Sequence, residues 1–211
     1  MNLEISAPDI NTSDIDFTVV KSSIVFGLSA IRNVGDTTAE KIIGERQSGK
    51  FKSVEDFINR MDARAVNKRS LEALIQGGAF DSFGHQRKAL YESVSDLKDL
   101  AKKKSSKLSD QSTLFNIESE HETNINLNDV EWDKNEKLER EKDVLGFFVS
   151  EDPLEGYGNA LLAESSHKII DLLNIEDEEE VSVVIAGMVS NLQKRISRTV
   201  SYTHLTLPTK A

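Results

Sequence analysis

The chain has 211 residues, 38% hydrophobic and 29% charged, with no cysteine and a formal net charge of −10. The missing cysteines exclude disulfides, thiolate metal sites and cysteine nucleophiles, and fit a reducing compartment. The four histidines (His85, His121, His167 and His204) are scattered with no pair at metal-ligand spacing, which excludes a zinc enzyme of ordinary type. No apolar run approaches the ~18 residues a membrane span requires. The N-terminus carries no signal pattern, so the expected location is the cytoplasm, with no membrane partner. The length leaves room for one large domain or two small ones.

The charge is unevenly spread. Residues 27–88 hold eleven Lys/Arg against eight Asp/Glu, whereas residues 91–180 hold ten against twenty-four. Residues 181–211 hold four basic residues and no acid. The acidity lies in the middle, so the whole-chain charge does not exclude nucleic acid as a partner of the ends.

In chain order, residues 1–26 read as extended: Ala7-Pro8-Asp9-Ile10-Asn11 is turn chemistry, followed by β-branched stretches at Thr18 to Val20 and Ile24 to Phe26. From Gly27 to Asp81 the period becomes helical. Ala39, Ile42 and Ile43 form one stripe, with Thr37 and Glu40 as its expected capping box. Val54, Phe57, Ile58 and Met61 form a second, entered by Ser53 with Asp56 three residues later. Leu71, Leu74 and Ile75 form a third, with Asn67 as N-cap and Gly77-Gly78 as stop.

A further helix is expected over about residues 85–101, with Leu90, Val94, Leu97 and Leu100 on one side. The polar tract from Lys102 to about Asp129 has few residues able to bury surface and reads as a flexible linker. Helical character returns from Lys134 to Val144, ahead of Leu145-Gly146-Phe147-Phe148-Val149 and Pro153. Glu176 to Glu180 is an acidic turn. Val181 to Val189, apolar on both faces, reads as a buried strand.

Ile31-Arg32-Asn33-Val34-Gly35 lies between two short helical segments and suggests a helix-hairpin-helix. Gly35 is expected to permit the turn and to let backbone N–H groups approach a phosphate, while the following helix aims its positive end at the same anion. Such a device grips the sugar-phosphate backbone and reads no bases. A glycine-containing αα-hairpin is the plain alternative. A second unit follows: Val54–Met61 and Asn67–Gln76 flank a turn bearing Arg64, with Arg60, Lys68 and Arg69 nearby. Two tandem units would hold both strands across a minor groove. The candidate DNA-binding residues are Arg32, Asn33, Val34, Gly35, Lys41, Arg64, Asn67, Lys68 and Arg69.

Several of these stretches together resemble one family. Pro8-Asp9-Ile10-Asn11 with Ser13, Ile24 to Leu28, and Ala30-Ile31-Arg32-Asn33-Val34-Gly35 are similar to the bacterial replicative DNA polymerase III alpha subunits. So are Val66 to Ile75, ending in Gly78-Ala79-Phe80-Asp81, and Leu145 to Ser150 with Pro153, Leu154 and Tyr157. One departure is Asp152-Pro153, where that family usually has His-Pro. The resemblance covers about residues 1–199 in the family's order.

The resemblance implies a C-terminal piece of a DNA-directed DNA polymerase, mainly α in class. Its expected parts are the end of a fingers-like region (1–26), a tandem helix-hairpin-helix domain (27–88), a helix and clamp-binding linker (89–130), a helical connector (131–175) and the truncated start of an OB-fold (176–199). Gln111-Ser112-Thr113-Leu114-Phe115 matches the family's internal clamp peptide, so Gln111, Leu114 and Phe115 are the expected contacts to the sliding clamp. Duplex DNA and other replicase subunits are the further expected partners. The resemblance puts the catalytic acids and their Mg²⁺ in a palm upstream of residue 1, so no catalytic, cofactor or metal residue is expected here and the piece alone is expected to be inactive. Val200 to Leu205 matches a reading frame of a transposon adapter used in sequencing libraries, so residues 200–211 are expected to be an artefact. The rival readings are a helix-hairpin-helix module of a repair nuclease or ligase, and a scaffold that binds no DNA.

Overall fold

Asp9 organises the first turn. Its Oδ1 accepts from the Asn11 N–H at 2.9 Å and from the Thr12 hydroxyl at 3.1 Å, while Ser13 Oγ accepts from the Asp9 N–H at 3.0 Å. Asn11 then pairs with the distant backbone of Phe51 in both directions, donating to its carbonyl at 2.9 Å and accepting from its N–H at 2.8 Å. Ile10, fully buried, donates its N–H to Ala79 O at 2.9 Å. These bonds fasten the leading segment to the helical block.

The structure is a computed structural model describing residues 4–20, 22–62, 64–99, 130–167, 172, 182–188, 193–196 and 203–206. It is mostly helical, and the chain divides into two compact units, Met1–Pro153 and Leu154–Ala211. The first unit runs across the boundaries drawn from sequence at 26/27, 88/89 and 130/131, because residues on both sides of each contribute to one core.

A small mixed sheet opens this unit: β1 (Glu4–Ser6), β2 (Thr18–Val20) and β3 (Ser23–Val25), in the order β1-β3-β2. β1 runs parallel to β3 and β2 antiparallel to it. Gly27 follows where the chain crosses itself. A Cβ there would lie 2.4 Å from the Asp16 carbonyl carbon and 2.6 Å from Ile15 O, so only glycine fits.

A 3₁₀ turn at Leu28–Ala30 leads into α1 (Asp36–Arg46). The expected capping box of Thr37 and Glu40 does not form. The N-cap is Gly35, with no side-chain cap, because its carbonyl already accepts from Thr38 and Ala39 at 2.9 and 3.0 Å and the helix has begun before Thr37. α2 (Val54–Arg60) starts as expected: Ser53 Oγ accepts from Asp56 N at 3.1 Å, and Asp56 Oδ2 accepts from Lys52 N at 2.9 Å. α3 (Lys68–Gln76) is capped by Asn67, whose Oδ1 accepts from Ser70 N at 3.0 Å.

The single helix expected over residues 85–101 is two: α4 (Arg87–Glu92) and residues 94–99 (α5). Ser93 separates them. Its hydroxyl donates to Ala89 O at 2.9 Å, the local side-chain bond by which serine competes with helical geometry. Leu90, Val94 and Leu97 are buried as the periodicity requires; Leu100 lies outside the described residues. α4 has no cap from its own preceding residue. Glu131 caps it instead, accepting from the N–H groups of Arg87 and Lys88 at 3.2 and 3.1 Å.

α6 (Lys134–Leu145) is capped by Asp133 and ends at Gly146, which takes the left-handed conformation at φ 88°. Its Leu138, Val144 and Leu145 are buried, and the last two meet Gly77 at the end of α3. The core of the unit is built on Phe26, Phe57, Phe80, Ile42, Leu71 and Leu74, each worth about 1.5–3 kcal/mol of burial.

In the second unit, α7 (Gly158–Glu164) precedes Ser166, whose N–H donates to Val184 O at 2.9 Å and whose Oγ accepts from Val184 N at 2.8 Å. Of the buried strand expected over Val181–Val189, the described residues 182–188 form none; Val181 and Val189 lie outside the described residues. Residues 182–188 have no regular structure and leave Val184, Ile185 and Met188 exposed, since a strand apolar on both faces needs sheet neighbours that the described residues do not supply. β4 (Gln193–Ile196) pairs antiparallel with β5 (Thr203–Thr206) as a two-stranded ribbon.

Candidate nucleic-acid interface

The first helix mouth is made by Asn33, Val34 and Gly35. Val34 is buried and anchors the turn, with its N–H on Ile31 O at 2.9 Å. The left-handed residue is Asn33, at φ 66°, and not Gly35. Gly35 sits at φ −83° and ψ 166°, extended backbone open to any residue, and nothing lies within 4 Å of a Cβ added to it. The expected role of Gly35 as the turn-maker is therefore corrected. Asparagine tolerates the left-handed region through its short polar side chain, and Gly35 leaves the end of α1 bare. No side chain caps the start of α1, whose positive helix end also carries the acidic Asp36 in its first turn.

The second mouth is the start of α3, and two hydroxyls fix it against the first. Ser70, buried in the first turn of α3, donates to Asn33 O at 2.9 Å. Thr38, in the first turn of α1, donates to Ala65 O at 3.0 Å in the turn before α3. Each helix start is tied to the loop entering the other. Lys98 of α5 supports the same loop by donating to Val66 O. Sequence reasoning passed over Ser70 and Thr38; the only local signal was a small hydroxyl beside an apolar stripe.

Arg32, Lys41, Arg64, Asn67, Lys68 and Arg69 are all exposed around these mouths. Lys41 lies one turn behind Thr37 on the exposed face of α1. Arg69 is in the first turn of α3. Lys68 is engaged locally, 3.8 Å from Glu72 and 3.4 Å from Ser95 Oγ. Asn67 spends its side-chain oxygen on capping α3. Arg60 does not join the cluster as expected. It turns back to bond Glu45 O at 2.6 Å and Glu45 Oε1 at 3.1 Å, and lies 4.5 Å over the Phe51 ring, so it locks α1 to α2.

A network centred on the buried Arg87 and Glu141 ties α3, α4 and α6 together beside these mouths. Arg87 Nη1 donates to Glu141 Oε2 at 2.8 Å and to Gln76 O at 3.1 Å, while its Nη2 reaches Asp81 Oδ2 at 2.6 Å. Glu141 Oε1 accepts from the N–H groups of Val149 and Ser150 at 2.6 and 2.9 Å. Burial works against both charges. The partner carboxylates nevertheless raise the pKa of Arg87, and the bonds from Ser150, Arg87 and Val149 hold the Glu141 carboxyl below its ordinary range. The Arg32 N–H donates to Val144 O at 2.9 Å, so the first turn rests directly on the end of α6.

The expected clamp residues Gln111, Leu114 and Phe115 lie outside the described residues. Among the described residues no three His, Asp or Glu side chains converge into a group able to hold a metal ion. Among the described residues, too, no helix is long and apolar enough to cross a membrane.

A family model described as a helix-hairpin-helix motif matches residues 2–90. The DNA polymerase III subunit alpha of Campylobacter jejuni subsp. jejuni is 32% identical over 211 residues, covering 94% of this chain and 18% of the relative. Those of Saccharopolyspora erythraea and Aquifex aeolicus are each 35% identical, over 94% of this chain and 18% and 16% of their own lengths. The chain thus spans less than a fifth of the relatives it matches. It is homologous, over nearly its whole length, to one segment of DNA polymerase III alpha subunits, and it carries a helix-hairpin-helix motif.

Proposed function

We propose that residues 27–88 hold duplex DNA by its sugar-phosphate backbone, without reading sequence, as part of a bacterial replicative polymerase working in the cytoplasm. The observation that carries this reading is the bracing of two helix starts through Ser70–Asn33 and Thr38–Ala65. The start of α1 carries no side-chain cap, although Asp36 lies in its first turn, and Arg32, Lys41, Arg64 and Arg69 are exposed cations around the two helix starts. The similarity extends well beyond the hairpins, which a free-standing repair-enzyme module does not account for. Nucleotidyl transfer belongs to other parts of the full-length polypeptide; this segment's share is to keep the duplex in place.

The finer reading adds a clamp tether and an OB-fold. Gln111-Ser112-Thr113-Leu114-Phe115 is the proposed contact to the sliding clamp, raising processivity through effective concentration, and the residues after 176 begin the OB-fold. The test is titration of the 211-residue chain against labelled duplexes of unrelated sequence. Equal affinities on the order of 10⁻⁴–10⁻⁶ M near physiological salt support the reading. A strong preference for one sequence, or no binding at low salt, opposes it.

A further inference from the structure

Glu141 carries a charge that packing alone does not call for. It is fully buried in α6, and a carboxylate taken out of water is costly unless it is paired and hydrogen-bonded. Both of its oxygens are engaged, by two different stretches of chain. Oε2 accepts from Arg87 Nη1 of α4 at 2.8 Å. Oε1 accepts from the N–H groups of Val149 and Ser150 at 2.6 and 2.9 Å, which folds the chain beyond the left-handed Gly146 back along the helix it has just left. The carboxylate thus clasps the end of α6 between α4 and its own continuation. A buried ion pair exchanged for apolar residues of equal volume is often neutral or even stabilising, so stability alone is a weak reason for this one.

The end of α6 carries the first mouth. The final carbonyls of a helix have no partners within it. Lys142 O takes the Gly146 N–H at 2.8 Å and closes the end, while Val144 O takes the Arg32 N–H at 2.9 Å. Val144 follows Glu141 by three residues, a rise of roughly 4.5 Å. From the other side, Ser70 of α3 holds the Asn33 carbonyl at 2.9 Å. Arg32 and Asn33 are therefore slung between α6 and α3. The two helices meet closely at the same place: a Cβ on Gly77 would lie 3.1 Å from the Leu145 side chain. A shift of the α6 end takes the Arg32 backbone with it.

We propose that Glu141 is a positioning residue for the DNA grip: by clasping the end of α6 it sets the Arg32–Asn33 turn at the first mouth, without itself meeting DNA. The proposal rests on the reading of the two helix starts as a duplex-binding site. It is tested on the 211-residue chain with one random-sequence duplex, by a double-mutant cycle between Glu141→Gln and Arg32→Ala. A residue that acts through Arg32 has little left to lose once Arg32 is gone. The expected result is that Glu141→Gln weakens binding about tenfold beside the native Arg32, an ordinary size for coupling between sites. Beside Arg32→Ala the same change should cost less than about twofold. A second measurement needs no variant and decides alone if Glu141→Gln does not fold. Coupling is reciprocal, so saturating duplex should slow hydrogen exchange at the Val149 and Ser150 N–H groups of the wild-type chain. Equal fold losses in both backgrounds, full affinity in Glu141→Gln, or exchange at Val149 and Ser150 that duplex leaves unaltered overturns the positioning role alone. A wild-type chain that binds no duplex overturns the underlying reading and this proposal with it.

Discussion

Ser70 Oγ donates to the carbonyl of Asn33 at 2.9 Å, across 37 residues of chain. This bond joins the first turn of α3 to the left-handed residue ahead of α1, and so sets the spacing of the two mouths. Ser70→Ala removes the donor, and because Asn33 is exposed and its carbonyl can regain water, the expected loss is about 0.5–1.5 kcal/mol in urea unfolding. Duplex affinity of the folded variant is expected to fall as well, because the two helix starts lose their common register. Full affinity in folded Ser70→Ala would show that the mouths do not act as a pair.

The turn itself separates Asn33 from Gly35. Asn33→Val forces a β-branched residue to φ 66° and should destabilise the chain by about 1–2 kcal/mol, whereas Asn33→Gly should fold almost unchanged. Gly35→Ala should also keep its stability, since its backbone is extended and the added Cβ meets nothing. Denaturation of the three variants checks this order. A larger loss for Gly35→Ala than for Asn33→Val would return the turn to Gly35.

The Arg87–Glu141 pair predicts an acid limit. Burial alone would raise the Glu141 carboxyl, but its hydrogen bonds outweigh that and lower it from the ordinary 4.5. A carboxyl depressed in the folded state contributes stability that is fully present above the unfolded value and is lost as pH falls through the folded one. Wild type should therefore lose stability below about pH 4.5, and Glu141→Gln should show a flatter profile in that window. At pH 7 the same variant should be less stable by about 3 kcal/mol, because the buried Arg87 guanidinium loses its one buried carboxylate partner and keeps only the exposed Asp81. Thermal unfolding from pH 3 to 7 measures both; parallel profiles would remove Glu141 from the acid response.

The three apolar stripes were legible because Ala39/Ile42, Val54/Phe57/Ile58 and Leu71/Leu74/Ile75 keep helical spacing, and the caps at Ser53 and Asn67 follow from local chemistry. The turn before α1 was not, because Asn33 and Gly35 both tolerate the left-handed region and only the fold decides which adopts it. Arg60 reads as one of a cationic group in sequence, yet its position at the end of α2 returns it to Glu45 and Phe51. The pairing of Arg87 with Glu141 spans 54 residues and has no local signature. The strand read into Val181–Val189 does not form over the described residues 182–188, because alternation says nothing of whether neighbouring strands exist to bury it.

For the proposed clamp peptide, truncating both Leu114 and Phe115 to alanine should remove most of its affinity for a bacterial sliding clamp, since each apolar side chain buried on binding would be worth about 1.5–3 kcal/mol. Changing Gln111 should matter less, about 0.5–1.5 kcal/mol for one neutral hydrogen bond. Titration of wild-type and doubly truncated chains against purified clamp at fixed ionic strength decides. Equal affinities would make the segment a plain linker.

The central claim is that paired helix starts ringed by cations hold the DNA backbone. Its most direct test is the salt dependence of duplex binding, measured on one random-sequence duplex for the wild-type chain and for variants losing Arg32, Lys41, Arg64 or Arg69. Each lost phosphate contact should weaken binding and reduce the slope of log affinity against log salt by roughly 1, with the same change on a second, unrelated duplex. A slope that stays at its wild-type value when all four cations are replaced would contradict the claim and leave the hairpins as packed helices without a nucleic-acid role.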